Sequence, residues 1–549
     1  MASDLLKLLL SLVHFTFYFP ATSQTLPSYP GRQGEWNQLQ SNIGITAMHM
    51  QLLHDNKVII YDRTDFGRSN VSLPHRRCRH DSRDQALEVD CTAHTILYDL
   101  DTNSFRPLTI QTDVWCSSAS VIPNGTLIQT GGYNDGDHVM RSFTSCLNDD
   151  CDWIEFRDYL RERRWYASNQ ILPDGRIIIV GGRRAYTYEF YPSVSRTFWL
   201  SFLRETRDGN SENNLYPFLH LLPDGNLFIF ANTRSILLDY NRNHVIREFP
   251  RIPNHDPRNY PSTGSSVLLP LDENSDSIRA EILICGGAPR GSFERNARRV
   301  FEGAISSCGR LVVTRHNPSW DMETMPTPRV MSDMLLLPTG DIIIINGAQS
   351  GTAGYDAARN PITNPFIYRP HQSSNRRFSV MTPSQKPRMY HSSAILLPDG
   401  RVLVGGSNPQ PTYQFTNVFY PTDLSLETFS PPYLSDEYTQ IRPSVLSLDK
   451  STLGYGNASA FRVRFHVEEY ISDNVLSVRI VAPSFTTHSF AMNQRMVVLK
   501  MNSIEAETSN TYALHVAGPS TVQIAPPGYY LLFVVHAGTP SNGSWVKIQ

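Results

Sequence analysis

One short pattern recurs along most of this chain and limits what it can fold into. Two apolar runs flank a turn such as Pro-Asp-Gly, and several copies end in Gly-Gly. Proline presets φ and glycine accepts positive φ, so each copy predicts a tight β-hairpin. There are about seven copies: a degenerate one at 52–62, clear ones at 121–132, 171–182, 221–232, 336–348 and 396–406, and one at 267–287 split by a longer loop.

The spacing of the copies favours one architecture. Intervals of roughly 50 to 70 residues are typical of kelch-type β-propeller blades. A single β-meander cannot bury both of its faces, whereas radial packing of several meanders buries them. The repeat therefore predicts an all-β, seven-bladed kelch-like propeller over residues 24–437. An array of β-sandwiches is the alternative, and it fits the regular period less well.

The pattern changes in the last part of the chain. Short apolar segments at 460–467, 476–481, 496–499 and 529–535 alternate with turns, and the last follows Pro526-Pro527-Gly528. Such a series predicts short strands with no helix between them. We expect residues 438–549 to form a separate, immunoglobulin-like β-sandwich.

The N-terminus has the pattern of a secretory signal. The stretch 5–19 is largely apolar apart from Lys7, and Ala21-Thr22-Ser23 is a small-residue cleavage site. We predict a signal peptide over 1–23 and a secreted, extracellular protein. A membrane anchor is the alternative, but the apolar run is short for a bilayer span. Four Asn-x-Ser/Thr sequons would permit glycosylation there: Asn70, Asn124, Asn457 and Asn542.

The net charge argues against one class of function, and the cysteine content indicates how the cysteines pair. The net charge is −2 with no long basic run, which argues against nucleic-acid binding. The cysteines number seven, and an odd number leaves one unpaired in an oxidising compartment. Close spacing favours the pairs Cys78–Cys91, Cys146–Cys151 and Cys285–Cys308, with Cys116 left over. A zinc site is the alternative, but its spacing is irregular; it would use His75, Cys78, His80, Cys91 and His94.

Three hairpins are preceded by reactive side chains. Cys116 precedes the second hairpin, Tyr166 the third, and the pair Tyr390-His391 the last. All lie a few residues before the same strand, so a closed propeller would bring them to one end of its axis. Functional residues of such folds collect on the loops at one face. Packing of the aromatic rings between blades is the alternative interpretation of each tyrosine taken alone.

The residue types indicate a metal. Imidazole and phenolate together suit Cu(II), which prefers tetragonal nitrogen and oxygen ligands, or Fe(III). A second imidazole would complete such a site, and His488, at a predicted turn of the C-terminal domain, is a candidate. Taken alone, His488 would more often be an ordinary surface histidine.

Four segments, in this order, resemble the copper-radical oxidases, the family of galactose oxidase and glyoxal oxidase. The resemblance covers nearly the whole mature chain, and the four-part match is specific, whereas the repeat alone indicates only a kelch-like fold. The segments are Trp115-Cys116-Ser117-Ser118, Arg164-Trp165-Tyr166-Ala167-Ser168, Met389-Tyr390-His391-Ser392, and Thr487-His488-Ser489 followed by Asn493-Gln494-Arg495.

The resemblance implies a role for each matched residue. Cys116 would be joined through its sulfur to the ring of Tyr166, which would bind copper and hold a radical. Tyr390 would be the axial ligand and the base. His391 and His488 would be the nitrogen ligands, with His488 carried into the propeller by a loop of the C-terminal domain. The cofactors would be one copper ion and the protein-derived Tyr-Cys thioether radical.

The Trp-Cys-Ser-Ser segment resembles the glyoxal oxidase branch, above all its plant members. That implies oxidation of small aldehydes such as glyoxal or methylglyoxal to carboxylic acids, with O₂ reduced to H₂O₂. We also expect a monomer without a membrane span, and the compartment leaves association with the cell wall open. The alternatives are a primary-alcohol oxidase of the same family and a non-catalytic kelch or lectin-type binding propeller.

One departure from the family pattern concerns the radical. In galactose oxidase a tryptophan shortly after the cross-linked tyrosine stacks over the thioether. The corresponding stretch here, 181–186 (GGRRAY), has none. Tyr186 and Trp115 are the candidates to replace it.

Overall fold

The repeated hairpins form the inner halves of seven blades. In the computed structural model, which describes residues 33–146, 150–193 and 195–549, seven four-stranded antiparallel meanders form a ring. Their innermost strands contact their neighbours in cyclic order, except that the strand Phe485–Thr487 connects the first to the second. The predicted seven-bladed propeller is confirmed. The N-terminal strand Glu35–Gln40 pairs with Leu426–Ser430 as the outermost strand of the last blade, so the two ends of the propeller close the ring together.

The blades are numbered along the chain, with strands given from the innermost outwards. Blade 1 is His49–Leu52, Lys57–Tyr61, Thr95–Asp99 and Ser104–Leu108; blade 2 is Ser118–Val121, Leu127–Thr130, Met140–Phe143 and Ile154–Phe156; blade 3 is Ser168–Ile171, Ile177–Val180, Thr187–Tyr191 and Phe198–Trp199; blade 4 is Phe218–Leu221, Leu227–Ala231, Arg234–Asp239 and His244–Glu248. Blade 5 is Ser265–Leu268, Glu281–Cys285, Ser307–Val312 and Trp320–Thr324; blade 6 is Asp333–Leu336, Ile342–Ile345, Phe366–Tyr368 and Phe378–Val380; blade 7 is Ser393–Leu396, Val402–Gly405, Leu426–Ser430 and Glu35–Gln40.

Helices are few and short in the described ranges. The α-helices are Ser201–Glu205 and Ser292–Asn296. Single 3₁₀ turns lie at Pro74–Arg76, Asn134–Gly136, Ser374–Arg376, Pro432–Leu434, Asp436–Tyr438, Asn457–Ser459 and Asp473–Val475, and two small ribbons pair Arg79–His80 with Val89–Asp90 and Ala348–Gly351 with Ala358–Pro361. No helix of these ranges is long and apolar enough to cross a bilayer.

The C-terminal part forms two sheets, as predicted. The four expected strands are present, with ends shifted by one residue at most. One sheet holds Ser444–Leu448, Phe461–His466, Thr511–Val516 and Met501–Ala506; the other holds Arg495–Val498, Leu476–Ala482, Gly528–His536, Ser544–Ile548 and Thr452–Leu453, with Thr539–Pro540 beside it. The long loop that splits the fifth hairpin delivers Leu271–Asp272, which pairs with Arg495–Val498 and joins the two parts.

A hairpin of the C-terminal part enters the propeller axis. Its strands are Phe485–Thr487 and Phe490–Met492, and the first pairs with the innermost strand of blade 1. The residues that follow bond to other inner strands. The Asn493 side-chain oxygen accepts a hydrogen bond from the Ile171 amide, and that of Gln494 accepts one from the Leu336 amide. The Arg495 guanidinium donates a hydrogen bond to the Leu221 carbonyl. The axis is thus filled by a plug fixed to several blades.

The cysteine pairing follows the spacing. Cys78–Cys91, Cys146–Cys151 and Cys285–Cys308 are disulfides, and Cys116 is free and buried. The zinc alternative is therefore wrong, because the disulfide takes both cysteines and His94 bonds to Asp90 instead. The predicted signal peptide, 1–23, lies outside the described residues. All four sequon asparagines are exposed.

Candidate metal centre

One backbone position recurs at the entrance to the inner strands. Two residues before that strand, blades 2 to 7 have a residue with positive φ, between 42° and 67°. This left-handed conformation is uncommon for residues other than glycine. The residues are Cys116, Tyr166, Tyr216, Thr263, Met331 and His391. Because Thr263 and Met331 share the conformation, it belongs to the repeat and is not by itself a sign of a functional site.

Hydrogen bonds link these positions from blade to blade. The Tyr166 amide donates to the Cys116 carbonyl, and the Tyr216 amide donates to the Tyr166 carbonyl, both at 2.9 Å. On the other side of the axis the Met331 amide donates to the Thr263 carbonyl at 2.8 Å. The scaffold therefore holds equivalent side chains around one end of the axis at fixed spacing.

The five residues selected from the sequence meet at that end. Cys116 Sγ lies 3.1 Å from His488 Nε2. Cys116, His391 and His488 each have one candidate ligand atom here, and these three atoms lie within 4.8 Å of one another. The rings of Tyr166 and Tyr390 have centroids 6.2 and 5.7 Å from that of His488. All five side chains are at least nine-tenths buried.

His488 reaches this cluster from the tip of the axial hairpin. His488 and Ser489 form the two-residue turn, both with positive φ. Such turns usually contain Asn-Gly, which tolerates that conformation better. The Thr487 hydroxyl lies 2.7 Å from His488 Nδ1, so Nε2 is the nitrogen left to face the cluster. Strained turn residues at such a tip are expected where position matters more than local stability.

The donor set fits a metal ion. Both ring nitrogens of His391 are buried and have no hydrogen-bond partner among the described residues. An unpaired buried polar atom costs roughly 1–3 kcal/mol. A metal bound to His391 would satisfy one nitrogen, and the phenol oxygens and His488 supply further N and O ligands. This donor set suits Cu(II).

Burial also sets the protonation states. It lowers the pKa of His391 well below its ordinary value and that of His488 to about 3, so both imidazoles are neutral at neutral pH. Burial raises the pKa of the Tyr166 and Tyr390 phenols well above 10. The imidazoles are therefore ready to bind a cation, whereas a phenolate here requires one.

Sequence reasoning missed a third phenol. The Tyr260 oxygen lies 3.1 Å from that of Tyr166 and 2.9 Å from that of Tyr390, and so bridges the two. Tyr260 lies five residues before its strand, outside the repeated position, so the spacing gave no signal. Tyr216 was also missed. It lies seven residues before the turn proline Pro223, the same distance that separates Tyr166 from Pro173, and this spacing would have found it.

The ring beside the candidate radical residue is neither of the two candidates. Trp165 lies over Tyr166 with a centroid distance of 4.7 Å and an interplanar angle of 35°. Trp115 packs on Trp165 instead, at 5.1 Å. Tyr186 packs against Trp199 on the outer part of blade 3. Two rings thus lie against Tyr166, that of Trp165 and, at 4.5 Å and 32°, that of Tyr260.

Comparisons with known proteins identify the family of the chain. The family model of the glyoxal oxidase N-terminus matches residues 48–433, and that of the galactose oxidase-like early set domain matches 442–548. Aldehyde oxidase GLOX1 of Arabidopsis thaliana is 43% identical over 94% of this chain and 84% of its own length. Aldehyde oxidase GLOX of Vitis pseudoreticulata is 44% identical over 94% of this chain and 97% of its own.

A solved structure shares the fold. It is described as a novel fungal alcohol oxidase with catalytic diversity among the AA5 family, in complex with copper, and it superposes with a TM-score of 0.72. The identity is 16%, over 94% of this chain and all of that one, so the likeness concerns the fold. The family matches and the two plant relatives carry the assignment. The chain therefore belongs to the glyoxal oxidase family and is an oxidoreductase of that type.

Proposed function

We propose that this protein is a secreted copper-radical oxidase that converts small aldehydes to carboxylic acids and reduces O₂ to H₂O₂. One observation carries the proposal: side chains from blades 2, 3 and 7 and from the C-terminal hairpin converge on His391, whose buried ring nitrogens have no partner among the described residues. The printed names of the plant relatives support an aldehyde as the substrate.

The ligands would be Tyr166, Tyr390, His391 and His488. When bound, copper supplies one-electron redox chemistry and lowers the pKa of the oxygen ligands. Cys116 would not be a ligand but would join its sulfur to the ring of Tyr166. That bond replaces one S–H and one ring C–H, and the two electrons and two protons pass to O₂, giving H₂O₂.

Two tyrosines of the chain would act on a hydrated aldehyde. The Tyr390 oxygen accepts the proton of one hydroxyl group. The Tyr166 radical would accept the hydrogen atom from the substrate carbon, and copper held by Tyr166, Tyr390, His391 and His488 would supply the one-electron redox chemistry that the second electron requires. The acid leaves with two electrons and two protons fewer than the hydrate, and O₂ takes these up as H₂O₂. Burial of both phenols keeps water away from the radical.

Secretion rests on other observations. The pattern of residues 1–23 is that of a signal peptide, and three disulfides are typical of an oxidising compartment. We propose that the protein acts outside the cell as a monomer. An expression experiment that follows processing of the N-terminus and release into the medium tests this part separately from catalysis.

Copper titration of metal-free protein tests the site. We expect one equivalent of Cu(II) to bind and to give a visible phenolate-to-copper absorption band, which Tyr390→Phe weakens strongly. Tyr413→Phe is the matched control, because Tyr413 is a buried phenol bonded to Asp62 outside the cluster. Equal bands in both variants would contradict the assignment. Peroxide release with methylglyoxal and with a primary alcohol, compared side by side, then identifies the substrate class.

A further inference from the structure

A second polar feature lies beside the metal cluster and is not used by the reaction above. Arg63 follows the second strand of blade 1 and is 7% exposed. Its guanidinium carbon lies 4.6 Å from the ring centroid of Trp115 and 5.1 Å from that of Tyr355. Tyr355 in turn packs on Tyr390 and His391, with centroids 5.4 and 5.8 Å away. One aromatic ring therefore separates Arg63 from the metal ligands.

Arg63 makes few hydrogen bonds for an arginine that is so little exposed. Within the described ranges its guanidinium makes one hydrogen bond, to the Pro411 carbonyl, and no ion pair. Other buried arginines of the propeller are better paired. Arg164 forms an ion pair with Glu189 at 2.8 Å and donates hydrogen bonds to three further acceptors. Arg388 forms ion pairs with Glu427 and Asp423. Arg329 lacks a carboxylate but donates to two carbonyls.

A buried cation without an anion is costly, so its retention needs a reason. The carboxyl groups of Asp62 and Asp113 interact electrostatically with Arg63. Asp62 accepts from the Tyr413 hydroxyl and Asp113 Oδ1 accepts from the Trp115 amide, while Asp113 Oδ2 is buried without a partner among the described residues and forms no ion pair with Arg63. The guanidinium therefore has N–H groups that form no hydrogen bond with an acidic side chain of the described structure.

The rings around Arg63 add further unpaired donors. The Tyr355 hydroxyl and the indole nitrogens of Trp115 and Trp165 are buried and have no hydrogen-bond partner among the described residues. Their rings are partly exposed, so the group opens toward solvent. We call Arg63, Trp115, Trp165 and Tyr355 the donor cluster. It offers a cation and several hydrogen-bond donors, a composition that suits an oxygen anion.

We propose that the donor cluster binds a small carboxylate, held by Arg63, next to the metal centre. The inference rests on the proposed function, because it identifies the ligand as a carboxylate-bearing aldehyde or the acid product. Guanidinium pairs with carboxylate through parallel hydrogen bonds, which gives orientation as well as affinity. Arg63 would then be a substrate-positioning residue.

Binding to metal-free protein tests the proposal without relying on oxidase activity. Acetate is the probe and acetamide its neutral counterpart, titrated at constant ionic strength while tryptophan fluorescence is recorded. We expect saturable binding of acetate only, because Trp115 and Trp165 line the site. Arg63→Gln should weaken acetate binding about tenfold or more, since a charge-assisted bond is lost.

Two further variants keep this test decisive. Arg63→Lys should restore part of the affinity, because the charge remains. Arg234→Gln is the matched control: Arg234 also lies over an aromatic ring, that of Phe202, but it pairs with Glu248 outside the donor cluster and should not affect acetate binding. Absence of saturable acetate binding, or equal affinity in the wild type and Arg63→Gln with both proteins folded, would overturn the proposal.

Kinetics of the copper-loaded enzyme distinguish the two sources of the carboxylate. If the substrate carries it, Arg63→Gln raises the KM of glyoxylate about tenfold more than that of methylglyoxal, because only glyoxylate is charged. If the product acid is the ligand, the variant instead weakens product inhibition and leaves the KM ratio unchanged. A variant that changes neither quantity would overturn the proposal. Failure of the oxidase assignment itself would show as no peroxide from either substrate, with acetate binding intact.

Discussion

Blades 3 and 7 carry candidate metal ligands, Tyr166 and His391, at a position where blades 5 and 6 carry Thr263 and Met331. The backbone is the same: two residues before the inner strand, φ is 67° at Tyr166 and 62° at His391, and 42° at Thr263 and 59° at Met331. Only the side chain differs. The repeat therefore supplies equivalent, rigid positions around the axis, and the chemical function depends on which side chains occupy them.

The two sides also differ in how polar atoms are satisfied. Near blades 3 and 7, the ring nitrogens of His391 have no partner in the described chain. Near blades 5 and 6, Arg258 and Arg329 each donate to backbone carbonyls that tie neighbouring loops together. Among the described residues, neither ring nitrogen of His391 is bonded, which leaves that side chain available to a ligand, whereas Arg258 and Arg329 lack a partner only at Nε and hold the scaffold through their terminal nitrogens. Substitutions on the two sides should thus affect activity and stability in opposite ways.

The largest expected effect comes from Tyr166→Phe. Loss of the phenol oxygen would remove the proposed metal ligand and radical group, so peroxide release from methylglyoxal should fall on the order of 10³-fold or more. The matched change is Met331→Leu, at the equivalent position of blade 6. It should retain most of the activity. Similar losses in both variants would show that the position itself, and not the side chain, is what matters.

Arg329→Met should have the reverse effect. Arg329 is fully buried and donates to the Asn346 and Asn364 carbonyls, both at 2.7 Å. The variant leaves both acceptors unpaired and should lower the free energy of unfolding by about 2–4 kcal/mol, measured by urea denaturation. Arg242→Met is the control, because the Arg242 side chain is 85% exposed, and it should change the free energy of unfolding little. An unchanged urea midpoint for Arg329→Met would contradict its role as scaffold.

Copper affinity should rise with pH, and the phenols should cause this. Burial raises the pKa of Tyr166 and Tyr390, so binding as phenolates releases protons, and each proton released favours binding at higher pH. The imidazoles contribute little slope near neutral pH, because burial lowers the pKa of His488 to about 3 and that of His391 well below its ordinary value. Calorimetric titration between pH 5 and 8, repeated with Tyr390→Phe, should show a shallower slope in the variant. A slope that the variant leaves unchanged would exclude Tyr390 as the source.

The smallest effect concerns the ring beside Tyr166. Trp165→Phe reduces the contact with the Tyr166 ring, and such ring pairs contribute about 0.5–1.5 kcal/mol. The lifetime of the oxidised site, followed by its visible absorption, should shorten up to about tenfold. Tyr186→Phe is the control and should have no effect. A longer-lived radical in Trp165→Phe, or an effect of Tyr186→Phe, would reject Trp165 as the stabilising ring.

The sequence predicted the parts of this molecule that repeat. Each Pro-Asp-Gly hairpin became the inner half of a blade, because turn chemistry and alternating apolar runs act locally. The residues before the strands could be selected since they share one spacing. Tyr260 and Arg63 could not, because neither has a regular position. Arg63 reaches the site through its own loop and the loop that contains Pro411, and only the closed ring brings these together.

The most direct test of the central claim is peptide mass spectrometry on copper-loaded, reduced and alkylated protein. Trypsin should release the peptide 165–176, which contains Tyr166. We expect this peptide to stay joined to the one bearing Cys116 after reduction, with a mass two hydrogens below the sum of the two peptide masses. Full alkylation of Cys116 and a free 165–176 peptide in fully metallated protein would contradict it, and the binding-propeller interpretation would then be preferred.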